Sequence, residues 1–271
     1  MPDQYAVVGN PVAHSKSPRI HAEFARQTGQ DMTYERLLAP AGGFIATVAE
    51  FKARGGRGLN VTLPFKEEAF AYATLLSERA HAARAVNTLR FEGSEVFGDN
   101  TDGAGLVSDI GRNLGFVIAA KHVLLLGAGG AARGVIKPLL QQRPAHLTLA
   151  NRTLAKALAL RQHFDGALEA TAYAALAGRQ FDLVINATSA SLTGALPQLP
   201  SGVFAEGALA YDMMYGVGET PFLAFARVEG AAALADGLGM LVEQAAESFL
   251  VWRSLRPDTV PVLKLLRQTA G

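Results

Sequence analysis

The stretch Val123-Leu124-Leu125-Leu126, running straight into Gly127-Ala128-Gly129-Gly130-Ala131-Ala132-Arg133, limits what this chain can fold into more than any other part of it. Four apolar residues without alternation predict a strand buried on both faces, the pattern of a parallel sheet. The glycine run fits G-x-G-x-x-G/A, a pattern with a steric meaning. Gly127 permits a tight turn, Gly129 lets a pyrophosphate approach the backbone, and Ala132 keeps the next helix close to the strand. That helix, predicted over 130–141, aims free N–H groups and its positive dipole end at the turn. An ordinary strand–turn–helix corner with nothing bound is the plainer reading. The strand before and the helix after favour a dinucleotide site built on Gly127, Ala128, Gly129, Gly130 and Ala131.

Upstream, Tyr5-Ala6-Val7-Val8-Gly9 predicts a strand closed by Asn10-Pro11. A helix follows over about 18–28, with Ser17 as N-cap and Pro18 at its first position. A strand at 32–38, a helix at 42–54, a strand at 58–62 and a helix opening at 63 continue the alternation. Such spacing implies a parallel sheet with crossover connections. Segments 85–89 and 95–98, around Glu92-Gly93-Ser94, read as a hairpin added at a sheet edge. The polar turn Asp99-Asn100-Thr101-Asp102-Gly103 leads into a helix at 104–114 and marks a domain boundary.

Beyond the glycine turn, a strand at 146–150, a helix at 154–163 and strands at 183–186 and 208–212 give the β-α-β order of a doubly wound domain. Segment 189–202, with two prolines and two glycines, reads as a loop over the nucleotide. From Gly239, the apolar residues Leu241, Val242, Ala245, Phe249 and Trp252 follow helical spacing. That helix and a shorter one at 260–268 are expected to pack back on the first domain. The expected division is 1–102 with 238–271 for one domain and 103–237 for the other.

At 271 residues with 49% hydrophobic side chains, the chain has material for two cores. Twenty-five basic and 24 acidic residues, spread evenly for a net charge of +1, argue against nucleic acid or an anionic membrane as partner. Cysteine is absent, which removes disulfides, thiolate catalysis and cysteine-ligated metal. The six histidines show no H-x-x-x-H spacing, so no metal site is expected. The sequence reaches its first strand without a charged and then apolar leader, and no apolar run is long enough to cross a bilayer. A cytoplasmic protein is the expectation.

A dinucleotide domain needs a second surface to present substrate, and the loops of the first domain supply candidates. Ser15 and Ser17 bracket a helix N-terminus, which suits a carboxylate ligand; equally, Ser17 only caps the helix and Ser15 only stabilises the turn. Lys66 lies in the first turn of a helix, where its charge opposes the dipole, so the helix does not explain it. A solvated lysine paired with Glu67 or Glu68 is the alternative. Asp102 heads a helix, where capping explains it. Asn60, Thr62, Asn87 and Thr88 at strand ends serve equally as turn formers.

Taken together, these stretches resemble the shikimate dehydrogenase family over nearly the whole chain. The matching runs are Gly9-Asn10-Pro11-Val12-Ala13-His14-Ser15-Lys16-Ser17-Pro18, Asn60-Val61-Thr62-Leu63-Pro64-Phe65-Lys66-Glu67, Ala85-Val86-Asn87-Thr88 and Gly98-Asp99-Asn100-Thr101-Asp102-Gly103. Further on come the glycine turn, Asn151-Arg152-Thr153, Ile185-Asn186-Ala187-Thr188-Ser189, Tyr211-Asp212-Met213-Met214-Tyr215 and Gly239-Met240-Leu241-Val242-Glu243-Gln244-Ala245. The resemblance implies reversible reduction of 3-dehydroshikimate to shikimate by NADPH, a step of aromatic amino-acid biosynthesis. It implies an α/β fold: an N-terminal parallel-sheet substrate domain, a Rossmann-type cofactor domain and C-terminal helices returning to the first domain, with the active site in the cleft between domains. It assigns the substrate carboxylate to Ser15 and Ser17 and the hydroxyls to Thr62, Asn87, Asp102 and Gln244. Asn60 and Tyr215 would line the pocket, and Lys66 and Asp102 would be the catalytic pair. Thr188, Met213 and Gly237 would join the cofactor site. A small-molecule substrate and a monomer or homodimer complete the expectation.

Cofactor choice has its own argument. An NAD site places an acid at the end of the second strand to grip the ribose 2′-hydroxyl. Here that position reads Asn151-Arg152-Thr153, with no acid until Asp165. Arg152 can stack on adenine and pair with a 2′-phosphate, helped by Asn151 and Thr153; the plainer reading leaves it in solvent. NADP is favoured. The family often has a second arginine where this chain has Lys156, which makes phosphate recognition there less bidentate. Two rivals stand: a quinate/shikimate dehydrogenase of the same superfamily, and a non-catalytic nucleotide sensor on the same fold. Quinate-using relatives tend to have threonine at the position of Ser17.

Overall fold

The computed structural model describes residues 1–164, 168–188, 197–216 and 218–268. These form two compact units. The first joins Met1–Gly105 to Val242–Leu266, and the second is built on Leu106–Leu241.

The first unit holds β1 (Asp3–Gly9), α1 (Ser17–Thr28), β2 (Met32–Leu38), α2 (Phe44–Ala53), β3 (Gly56–Val61), α3 (Lys66–Tyr72), β4 (Leu75–Leu76), α4 (Glu78–Ala83), β5 (Thr88–Glu92) and β6 (Glu95–Asp99). Its six-stranded sheet runs β2-β1-β3-β5-β6-β4. β1 pairs parallel with β2 and β3, whereas β5 is antiparallel to both β3 and β6. The sheet is therefore mixed rather than parallel throughout. The expected hairpin is β5–β6, but it is not the edge: the two-residue β4 pairs parallel with β6 outside it. A two-residue strand leaves no periodicity to read.

α1 begins at Ser17, not after it. The residue preceding the helix is Lys16, with no side-chain cap, and Ser15 Oγ instead accepts from Ser17 N–H at 3.3 Å. With Pro18 barred from donating, Ser15 is the hydroxyl that reaches a free N–H.

Alternate residues of β1 face opposite sides. Ala6 and Val8 join Leu59, Val61, Phe44, Phe51 and Phe65 in one core. On the other side Tyr5 packs on Trp252 with ring centroids 4.7 Å apart, and Phe24 meets Phe249 edge-on at 5.8 Å. Both C-terminal partners lie on α9 (Leu238–Arg253), which returns to this unit as expected and is followed by α10 (Val260–Gln268). Trp252 Nε1 donates to Leu89 O of β5 at 2.9 Å.

α5 (Asp102–Ser108) leads into the second unit and ends in a π-helical turn at Asp109–Asn113, where a continuous helix was expected. Buried Asp109 accepts from Tyr211 Oη at 2.6 Å and from Asn113 Nδ2 at 2.8 Å. The second unit continues with β7 (His122–Leu126), α6 (Gly130–Gln141), β8 (His146–Ala150), α7 (Leu154–Arg161), β9 (Leu168–Thr171), β10 (Phe181–Asn186), β11 (Phe204–Asp212), α8 (Pro221–Val228) and β12 (Ala233–Ala235). Its sheet is parallel throughout, in the order β12-β11-β10-β7-β8-β9. Val123 and Leu125 enter one core while Leu124 and Leu126 enter another, so β7 is covered on both faces. The order reverses between β7 and β10, the switch point at which doubly wound sheets bind ligands. β9, α8 and β12 were not anticipated from the sequence. For α8 the signal existed: Thr220 Oγ1 accepts from Leu223 N–H and Pro221 opens the helix. Residues 189–196 of the expected loop lie outside the described residues. Among the described residues no helix is long and apolar enough to cross a membrane.

Candidate active site

In the first unit, Lys66 opens α3 directly after the Leu63–Pro64 turn. Its Nζ donates to Asp102 Oδ2 at 2.6 Å, not to Glu67 or Glu68. The side chains are 24% and 11% exposed, so the pair is shielded but reachable. Asp102 heads α5 without capping it: Asn100 Oδ1 accepts from the Asp102 N–H at 3.2 Å. The other Asp102 oxygen accepts from Asn87 Nδ2 at 2.9 Å. Both local readings, a solvated lysine and a capping aspartate, give way to a tertiary pair across 36 residues of chain.

Around this pair lies a buried polar network. Asn87 Nδ2 also reaches Thr101 Oγ1 at 2.9 Å and Gln244 Oε1 at 3.2 Å. Asn60 Nδ2 donates to Asn87 O, Thr88 Oγ1 and Ser248 Oγ at 3.2, 3.2 and 2.8 Å. The Tyr34 hydroxyl donates to Asn60 Oδ1 at 2.7 Å. Asn60, Asn87 and Thr88 therefore do far more than end strands. Ser15 Oγ lies 3.2 Å from Ser17 Oγ at the start of α1. The half-buried Thr62 follows β3, its N–H donating to Val8 O at 2.9 Å. Sequence reading missed Tyr34, Thr101 and Ser248. Ser248 was within reach of it, because Gln244, Ser248 and Trp252 recur every four residues on one face of α9.

The segment carrying Asp102 is braced from behind. Arg79 grips Asp99 through Nε–Oδ1 at 2.7 Å and Nη2–Oδ2 at 2.6 Å, and its Nη1 reaches Glu247 at 3.2 Å. Burial raises the Asp99 carboxyl, but Arg79, the Ser77 hydroxyl and the Asn100 N–H outweigh it and hold the pKa below the ordinary value. A depressed folded-state pKa stabilises the fold above the unfolded carboxylate range and is lost as pH falls through the folded value. Asp99→Asn is expected to cost about 1.5–3 kcal/mol at neutral pH, the worth of charge-assisted hydrogen bonds. It should also flatten the fall of Tm below about pH 4. Melting curves of both proteins across that range check this; parallel curves would refute it.

In the second unit, Gly127 adopts φ +103°, which side-chain-bearing residues avoid, and a Cβ there would press on Ala187 O and Thr188. Nothing lies within 4 Å of where a Cβ would extend from Gly129 or Gly130, and no side chain caps α6. Ala128 is half-buried and Ala131 exposed beside them. Thr188 N–H and Oγ1 both donate to Asn186 Oδ1, at 3.1 and 2.7 Å. Met213 N–H donates to Asn186 O at 3.0 Å, and the Gly237 N–H to Met214 O at 3.0 Å. A Cβ on Gly237 would collide with the Met213 carbonyl, so only glycine allows that approach. At the end of β8, Asn151 Nδ2 donates to Thr153 O at 2.9 Å, leaving Arg152, Thr153 and Lys156 exposed. Arg152 bears electrostatically on Tyr173, opposing the rise that burial imposes on the phenol. Tyr215 follows β11, half-buried, and burial raises its pKa.

A parallel sheet with a glycine turn at its switch point, in one chain with a shielded lysine–carboxylate pair, defines a nicotinamide-dependent oxidoreductase. Three family models match: Shikimate dehydrogenase substrate binding domain over 7–89, Shikimate / quinate 5-dehydrogenase over 111–194, and Shikimate 5'-dehydrogenase C-terminal domain over 237–267. The chain belongs to the shikimate dehydrogenase family. A protein of Nitrosospira multiformis named Shikimate dehydrogenase (NADP(+)) is 62% identical, covering 100% of this chain and 99% of its own. One of the same name from Dechloromonas aromatica is 64% identical over 98% of both chains. Among solved structures, an Ael1 enzyme from Pseudomonas putida is 52% identical with TM-score 0.94, covering 97% of this chain and 98% of its own. Shikimate 5-dehydrogenase from Thermus thermophilus, in complex with NADP(H) and shikimate, is 35% identical with TM-score 0.88 over 99% of this chain and 100% of its own.

Proposed function

We propose that this protein catalyses the reversible, NADPH-dependent reduction of 3-dehydroshikimate to shikimate in the aromatic amino-acid (chorismate) pathway. The observation that carries the reading is the 2.6 Å contact between Lys66 Nζ and Asp102 Oδ2. The second unit fits the cofactor: the uncapped start of α6 beyond Gly127 suits a pyrophosphate, and the exposed Arg152, with no acid beside it, suits a 2′-phosphate. Bound NADPH supplies the hydride to the ketone carbon.

The chain's own residues do the rest. As charge builds on the ketone oxygen, the Lys66 ammonium stabilises it, and the Lys66–Asp102 pair supplies the proton. Asp102 orients that ammonium and takes a substrate hydroxyl; which of the two is the formal acid is a property of the coupled pair. Ser15 and Ser17 hold the carboxylate, Thr62, Asn87 and Gln244 bind hydroxyls, and Asn60 and Tyr215 line the pocket. Gly127, Ala128, Gly129, Gly130 and Ala131 take the pyrophosphate, Asn151, Arg152, Thr153 and Lys156 the adenosine end, and Thr188, Met213 and Gly237 the nicotinamide end. In this reading residues 1–102 and 238–271 present substrate and 103–237 the cofactor. The even charge balance argues against nucleic acid or an anionic membrane as partner; in this reading the enzyme is cytoplasmic, monomeric or homodimeric.

Mixing the protein with NADP and shikimate should raise the absorbance of reduced nicotinamide. A flat trace would move the assignment to a nucleotide sensor. Quinate carries an extra hydroxyl on a tetrahedral carbon where shikimate is planar. Accommodating it displaces a wall or buries the hydroxyl unpaired, at about 1–3 kcal/mol. kcat/KM for shikimate is therefore expected to exceed that for quinate by at least about tenfold. Steady-state kinetics with both acids decides this, and comparable turnover would favour a quinate/shikimate dehydrogenase.

A further inference from the structure

β10 and β11 end side by side: Asn186 and Asp212 are paired in register at the last position of each strand, and both are fully buried. Just beyond them come Thr188 on one side and Met213 on the other, two residues given above to the nicotinamide end. Asn186 Oδ1 accepts from the Thr188 N–H and hydroxyl at 3.1 and 2.7 Å, and Asn186 O accepts from the Met213 N–H at 3.0 Å. Asn186 Nδ2 in turn donates to Asp212 Oδ1 at 3.1 Å, and the same oxygen accepts from the Met214 N–H at 3.1 Å. Asp212 Oδ2 accepts from the Thr220 hydroxyl at 2.6 Å, and Thr220 is itself fixed as the cap of α8. A strand covered on both faces calls for an apolar side chain at such a position, so packing does not account for this carboxyl.

We propose that Asp212 is a positioning residue for the cofactor: it sets Thr188 and Met213 in one fixed relation before NADPH arrives. The inference rests on the reading that Thr188 and Met213 meet the nicotinamide end. With Nδ2 engaged by Asp212, the Asn186 amide must present its oxygen to Thr188. Turned over, it would set its NH₂ against the Thr188 N–H and its oxygen against the carboxyl, both buried. Met214 is held from two sides, its N–H by Asp212 and its carbonyl by the Gly237 N–H at 3.0 Å, which fixes the turn that carries Met213. Segments already ordered in the bound arrangement save ordering entropy at the moment of binding.

Asp212→Ala should weaken NADPH about tenfold in a calorimetric titration, the effect of losing the hydrogen bonds of one buried carboxyl. Adenosine 2′,5′-bisphosphate has the adenosine end but no nicotinamide, and its affinity should stay within about twofold of wild type. Asp212→Asn keeps the volume and one oxygen for Asn186 and Met214, so it should bind NADPH within about threefold of wild type. Thr220→Val removes only the hydroxyl that holds Oδ2. It should weaken NADPH about two- to fivefold and again spare the bisphosphate, and it carries the test if Asp212→Ala does not fold. Unchanged NADPH affinity in the folded variant, beside a loss in Thr188→Val, overturns this inference and leaves the nicotinamide reading standing. Unchanged affinity in Thr188→Val overturns both. A bisphosphate affinity that falls in step with that for NADPH also defeats the proposal, since a general loosening of the unit would act that way.

Discussion

Replacing Lys66 with alanine is expected to lower kcat by about two to four orders of magnitude, the range for removing a positioned acid–base group. The expectation comes from geometry. Lys66 Nζ is held at 2.6 Å by Asp102, which is itself held by Asn87 at 2.9 Å, so the ammonium has a defined place. Little fold stability should follow it, because the lysine is 24% exposed and bonds outward from the first turn of a short helix. KM for shikimate should change far less than kcat, since the ammonium acts on charge that appears only in the transition state. Single-turnover and steady-state kinetics, with a melting curve to verify folding, make the measurement. A variant that keeps near-normal kcat would remove Lys66 from the chemistry.

The second large effect concerns the cofactor. Arg152→Ala should weaken NADPH about ten- to a hundredfold, because charge-assisted hydrogen bonds to a phosphate contribute roughly 1.5–3 kcal/mol. NADH lacks that phosphate and should be nearly unaffected. Arg152 is exposed at the end of β8, so its removal disturbs no core packing. Titrating both cofactors against wild type and variant separates the cases. Equal losses would show that Arg152 does not read the 2′-phosphate, and the neighbouring Lys156 would be the next candidate.

Where sequence reading succeeded, the physics was local. β8, α6 and α10 begin and end where periodicity and glycine punctuation put them, because burial on one face or both leaves a repeating mark. β4 and β12 are two and three residues long and have no such mark. The site shows the same divide. Lys66 and Asp102 were visible as candidates, each with a cheaper explanation nearby; the family resemblance named them as a pair, and the fold supplies the contact between them. Ser17 looked like a cap, whereas Ser15 makes the hydrogen bond, because Ser17 already sits inside the helix. Tyr34 falls in a strand of alternating exposure that gives no hint of Asn60, 26 residues away. Family resemblance supplied residue roles and the Lys66–Asp102 pairing; it did not supply the network that orients them.

The unit built from both ends of the chain sets an order of assembly. Met1–Gly105 leaves the ribosome long before Val242–Leu266, and with that segment come Gln244, Ser248, Phe249 and Trp252. Until then Tyr5 of β1 lacks Trp252, Phe24 of α1 lacks Phe249, and the Asn87 amide lacks its Gln244 partner. Holding the two ends together across an unfolded insertion of this size would cost about 4 kcal/mol in loop-closure entropy. The insertion can remove that cost itself. Asp109 and Gly239, near its two ends, lie against each other, so once Leu106–Leu241 has folded the long loop has become a short one. Folding of the middle of the chain therefore comes before completion of its beginning, and a nascent chain stopped short of Val242 would hold a finished second unit beside an unfinished first.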